Sequence, residues 1–130
     1  MFKISPIKDK ETQKREVEEC GASFREDFFA YAMKDAESGE LMGISQFEID
    51  SQGGYISDIK EAPNRNDFEA MFILGRATMN FIDSCGAHIC RAAKYAADAT
   101  LLRGIGFTEK DGEYFSDMTG FFDGKCSSCK

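Results

Sequence analysis

The stretch Asn66 to Cys85, NDFEAMFILGRATMNFIDSC, decides the fold. Phe68, Met71, Phe72, Gly75, Met79, Ile82 and Cys85 recur at three-and-four spacing, the period of a helix with one face turned to a core. Asn66 or Asp67 supplies a cap at the start, and Gly86 stands where such a helix ends. Ile73, Leu74 and Phe81 lie off that stripe, so the helix is expected to be broadly covered, with Phe72, Ile73, Met79 and Ile82 largely buried. Gly75, without a Cβ, is expected to admit a close neighbour.

On the N-terminal side the period changes to that of strands. Phe2, Ile4 and Ile7 alternate around Pro6 and predict an edge strand, since proline cannot donate to a central ladder. Asp9 to Cys20 predicts a mostly polar surface helix stopped by Gly21, with Gln13, Val17 and Cys20 as a thin stripe. Phe28 to Met33, Leu41 to Ile49 and Tyr55 to Ile59 follow as strands, separated by the turns at Asp35 to Gly39 and Asp50 to Gly54. Three strands in series make an antiparallel meander.

On the C-terminal side Ala87 to Ala92 predicts a short strand and Tyr95 to Arg103 an alanine-rich helix ended by Gly104 or Gly106. Phe107 to Glu109 and Tyr114 to Met118 flank Asp111 and Gly112, a hairpin signal, and Phe107 is expected in the core. The class is therefore α/β in the α+β sense, a mixed, mainly antiparallel sheet with helices on both faces. At 130 residues one core must carry everything. Residues 1–122 are read as a single domain and 123–130 as a cysteine-containing tail.

Composition restricts the chemistry before any motif does. Sixteen Lys and Arg against 23 Asp and Glu give a net charge of -7, so an average surface that repels phosphate backbones and anionic membranes. No nucleic-acid or membrane partner is expected. The acidic excess is concentrated in residues 28–62, with seven acids against two bases. That reads either as a solvated face or as steering of a cationic amine. Five cysteines and no apolar leader after the N-terminal lysines point to a reducing cytoplasm. The single histidine, His88, leaves histidine triads and multi-histidine metal sites without partners.

The order strand, helix, meander, long helix, strand, short helix, hairpin resembles the GCN5-related N-acetyltransferase superfamily, the acyl-CoA N-acyltransferase fold. The segment LLRGIGF, Leu101 to Phe107, is similar to that family's short helix running into Gly-Phe, and the resemblance spans about Phe2 to Phe122. One helix stands where two are common in the first helical region. The resemblance implies acetyl-CoA as co-substrate, a small-molecule or peptidyl amine as acceptor, and direct acyl transfer. No metal is expected. It further implies cofactor contacts from the backbone at Ile59 to Glu61, and from a phosphate-holding loop at the start of the long helix. The aligned loop residues are Arg65, Asn66, Asp67, Phe68, Glu69 and Ala70. Arg65 and Ala70 match the family pattern, whereas Phe68 stands at the central glycine.

Asp67 and Glu69 place carboxylates in the first helical turn, where they complement the dipole as caps and repel a second anion. Weak binding of acetyl-CoA is the expectation. Leu102 occupies the place of the family's acid tyrosine, with Tyr95 two turns earlier as a packing residue or a displaced acid. Asp58 and Glu61, with Glu48, are the carboxylates available as general base, though each reads by default as a surface charge. Two functions follow: an N-acetyltransferase, or a catalytically inactive binding or interaction module of the same fold. A sparsely charged edge strand would permit a homodimer. The pair Cys126 and Cys129 reads as an inert tail, a reversible disulfide or half of a metal site, with Cys85, His88 and Cys90 as the other donors.

Overall fold

A computed structural model describes residues 1–122. Ten elements follow one another: β1 (Phe2–Pro6), α1 (Lys10–Glu19), β2 (Phe29–Asp35), β3 (Leu41–Asp50), β4 (Gly53–Glu61), α2 (Phe68–Ser84), β5 (Ile89–Ala92), α3 (Ala99–Ile105), β6 (Thr108–Lys110) and β7 (Glu113–Asp117). The strands form one sheet in the order β1-β2-β3-β4-β5-β7-β6. Every neighbouring pair is antiparallel except β4 and β5. The Asp111-Gly112 turn takes two positive φ angles, 54° and 79°, as a two-residue hairpin turn requires.

The pleat sends alternate side chains to opposite faces, and the two faces are filled differently. On one, Phe47, Ile56 and Ile59 of the sheet meet Leu74, Met79 and Ile82 of α2 and Leu102 and Ile105 of α3, with Phe107 alongside. Each such fully buried side chain contributes roughly 2 kcal/mol. On the other, Ala32 and Ile44 meet Val17 and Cys20 of α1 in a smaller cluster. Helices thus cover both faces. Gly75 brings α2 onto α3: a Cβ there would stand 2.8 Å from Ile105 Cδ1.

Three expectations are corrected. Ile73 is 36% exposed and Phe72 half-buried, because the apolar residues of α2 run nearly all round and only one side can face the sheet. The short helix starts at Ala99, not Tyr95; Tyr95 lies in the preceding turn and is 55% exposed, so it is not a packing residue. The polar α1 is bound more tightly than its thin stripe suggests, because Glu16 is buried along with Gln13 and Val17 of that stripe. The tail at 123–130, with Cys126 and Cys129, lies outside the described residues. Among the described residues no helix is long and apolar enough to cross a membrane.

Candidate active site

The parallel pair β4 and β5 decides where a site can form. They are hydrogen-bonded over three positions, Gly54 with Cys90, Tyr55 with Arg91 and Ile56 with Ala92. After Ala92 the chain leaves the sheet while β4 continues to Glu61. The strands therefore splay. A cleft of about 240 Å³ opens there, lined by Ile59, Lys60 and Glu61 of β4, Asn66, Phe68 and Met71 at the start of α2, and Ala97, Asp98 and Leu101 near α3. The departing loop reaches back across it. Ile59 N–H donates to the Ala96 carbonyl at 2.8 Å, and Lys60 Nζ donates to the Tyr95 carbonyl at 2.5 Å.

The start of α2 borders this cleft and is already supplied with anions. Asp67 caps the helix by accepting from Ala70 N–H at 3.0 Å, and the Glu61 carboxylate accepts from Asp67 N–H. Glu69 adds a third acid in the first turn. Arg65 turns away to pair with Glu40 at 3.0 Å, beside a wider, more open groove of about 880 Å³ along the same loop. Phe68 is 51% exposed, and its ring lies against α3, 3.8 Å from where a Cβ on Gly104 would sit. Ala70 is buried in the core.

On the opposite face of β4, a bulge shifts the register between Gln46 and Phe47 and sets Asp58 beside Gln46. Asp58 is 3% exposed. Its Oδ2 accepts from Gln46 Nε2 at 2.9 Å and from Ser57 Oγ at 2.7 Å. Oδ1 takes no hydrogen bond among the described residues. The Gln46 amide is fully used: Oε1 accepts from Gln13 Nε2 at 3.1 Å and Arg25 N–H at 2.9 Å, while Nε2 also donates to the Ser23 carbonyl at 2.9 Å. Such a saturated amide has one orientation, so Asp58 is fixed with one oxygen held and one unheld.

The same face carries Tyr55, whose ring stands edge-on to Phe28 at 6.3 Å and under the Arg91 guanidinium at 5.3 Å. Burial, with the Tyr95 phenol next to it, pushes the Tyr55 phenol above its ordinary range, so it stays protonated. Tyr95 Oη accepts from Arg25 Nη2 at 2.7 Å.

The residues expected from the sequence therefore divide. Asp58 sits on one side of β4, while Ile59, Glu61, Asn66 and Phe68 line the cleft beyond it. Asp67 and Glu61 are bound to each other, and Arg65 is drawn off to Glu40. Glu48 lies opposite Tyr55 in the β3·β4 register, away from the splay. Leu102 is fully buried, so no acid is offered from its position. Sequence reading missed Gln13, Arg25, Gln46 and Ser57. A signal existed in Ser45 and Gln46, a polar pair inside the apolar strand Leu41 to Ile49. Among the described residues no cluster of three or more His, Cys, Asp or Glu is placed to hold a metal.

No protein-family model matches this sequence, and no curated protein matches it. Solved structures match its fold. The IAA acetyltransferase from Bacillus cereus superposes with a TM-score of 0.69 at 15% identity, covering 85% of this chain and 79% of that one. The ribosomal-protein-S18-alanine N-acetyltransferase from Escherichia coli gives 0.65 at 14%, covering 88% and 89%. The PaiA N-acetyltransferase from Thermoplasma acidophilum, in complex with coenzyme A, gives 0.54 at 12%, covering 68% and 58%.

Proposed function

From the acyl-CoA N-acyltransferase fold that this chain shares with these neighbours, we propose that it is an N-acyltransferase that moves an acetyl group from acetyl-CoA to an amine. The observation that carries this reading is the arrangement of β4. It presents a cleft at its splay from β5 on one side and, one residue away, a carboxylate with an unheld oxygen on the other.

The cleft suits the narrow arm of coenzyme A, which would lie along Ile59, Lys60 and Glu61. Its phosphates would meet the amides at the start of α2 once the Glu61 side chain swings out. The donor supplies a thioester-activated acetyl group. Asp58 Oδ1 takes a proton from the acceptor amine as its nitrogen bonds to the acyl carbon. The carbon–sulfur bond breaks, and the sulfur leaves as thiolate to be protonated from water. General-base help of this kind is worth about 100- to 10,000-fold. Ser57 and Gln46 hold Asp58 by its other oxygen, so the accepting lone pair stays aimed away from them.

Calorimetric titration with acetyl-CoA, followed by mass detection of acetylated amines, tests the reading. Binding with product formation supports it. A second reading, an inactive binding module of the same fold, is favoured by the three carboxylates already at the start of α2; protein that takes up no acetyl-CoA would decide for that one.

A further inference from the structure

We infer that the acceptor is an amine that also carries a carboxylate, with Arg25 as the residue that reads the carboxylate. The inference rests on the acyltransferase reading above and concerns the acceptor face of the same site.

Several cations near the sheet are taken up by acids, whereas Arg25, like Lys60, is not. Lys34 pairs with Glu16, Arg65 with Glu40, and Arg91 with Asp50 through both carboxylate oxygens. Arg25 has no ion-pair partner among the described residues, in a chain with seven more acids than bases. Its guanidinium is half-buried between the Phe28 ring, 5.5 Å away, and the Tyr95 hydroxyl. One of its five N–H donors is spent on Tyr95, and Nε is buried without an acceptor. A partly desolvated cation with unspent donors is costly unless an anion meets it. The planar fork of a guanidinium matches a carboxylate in two parallel hydrogen bonds.

The position of Arg25 gives this meaning. Its backbone N–H and the Asp58 carboxylate are bound to the two ends of one side-chain amide, that of Gln46. An anion with an unheld oxygen and a cation without an ion-pair partner among the described residues thus lie on one face of the sheet, the Asp58 carboxylate and the Arg25 backbone being tied to the same glutamine. An amino acid presents the complementary order: its amine to Asp58, its carboxylate to Arg25. Phe28 and Tyr55, beside Arg25, supply apolar surface for a side chain.

The test uses glycine, L-leucine and L-phenylalanine, each against its methyl ester, with the full chain, Arg25→Gln and Arg25→Lys. Affinity is measured by calorimetry without acetyl-CoA, then kcat and KM for acetyl transfer. The parent should bind at least one free amino acid about tenfold more tightly than its ester, the size of one charge-assisted pair. Arg25→Gln should abolish that preference and raise KM about tenfold with kcat nearly unchanged, and Arg25→Lys should restore part of it. Equal binding of acid and ester by the parent, no binding of either, or a preference that survives Arg25→Gln overturns the inference. Absence of acetyl-CoA binding and of product defeats the acyltransferase reading instead, a result separate from the acid-to-ester comparison.

Discussion

Glu61, the last residue of β4, folds back so that its carboxylate receives the backbone N–H of Asp67, the cap of α2. A helix start is a ready seat for an anion, and here the chain's own anion sits in it. Any diphosphate that approaches must displace this carboxylate and also tolerate Asp67 and Glu69. Repulsion from one acid a few ångströms away in a partly solvated site is about 1 kcal/mol, a loss of about fivefold in affinity. Glu61→Ala should therefore strengthen acetyl-CoA binding about fivefold. Adding Phe68→Gly, Asp67→Asn and Glu69→Gln should strengthen it further. Calorimetry on the parent and both variants checks this, and an unchanged affinity in Glu61→Ala would show that the phosphates take another route.

Asp58 offers a test on the other side of the strand. Replacing it with Asn keeps the shape and an oxygen for the Gln46 and Ser57 donors but removes the proton acceptor. Acetyl transfer should fall about 100-fold or more, with acetyl-CoA affinity unchanged. A rate within about threefold of the parent would remove Asp58 from the chemistry.

Much of this was legible in the sequence, and what was not has a physical cause. The α2 repeat, the meander and the Asp111-Gly112 turn announce themselves because each depends on neighbours in the chain: a helical period, a pleat, a positive φ. The Glu61–Asp67 contact spans six residues and joins a strand end to a helix start, so no local period encodes it. The Gln13–Gln46–Asp58 chain links α1, β3 and β4 and uses residue types that look like surface. Ile73 and Tyr95 were misread for the opposite reason: their apolar bodies fit a core, but the sheet has room for only one side of α2, and the first helical bond of α3 runs from Leu102 N–H to the Asp98 carbonyl, later than the alanines suggest.

Gln46 should be the most sensitive polar residue of the fold. Leu in its place would leave Arg25 N–H and the Ser23 carbonyl without a partner, take from Gln13 one of its acceptors, and leave Asp58 with only Ser57. Each buried group so orphaned costs about 1–3 kcal/mol before relaxation, and networks fail together. Gln46→Leu should lose roughly 3 kcal/mol or more by urea unfolding, in contrast to Gln52→Leu in the exposed β3–β4 turn, which should stay within about 0.5 kcal/mol of the parent. Equal stability of the two variants would mean that the network contributes packing alone.

The thiols give a prediction in pH. Burial pushes the Cys20 and Cys90 thiols up to about 12 from an ordinary value near 9, because a thiolate there would lose its hydration. Cys85 is exposed at the end of α2. In a Cys126→Ser, Cys129→Ser background, a thiol reagent at pH 8 should therefore label one group quickly and the other two only on unfolding. The same shifts bear on stability. Below pH 9 both states keep these thiols protonated and nothing is lost. Between about 9 and 12 the unfolded chain releases protons that the folded chain retains, so ionisation favours unfolding and stability falls across that window. Replacing Cys20 and Cys90 with Ala should flatten that alkaline fall in urea midpoints measured from pH 8 to 10.5, whatever its effect at neutral pH. A fall of the same slope in the double variant would assign it to other groups, and rapid labelling of all three thiols at pH 8 would show that the two clusters open to solvent.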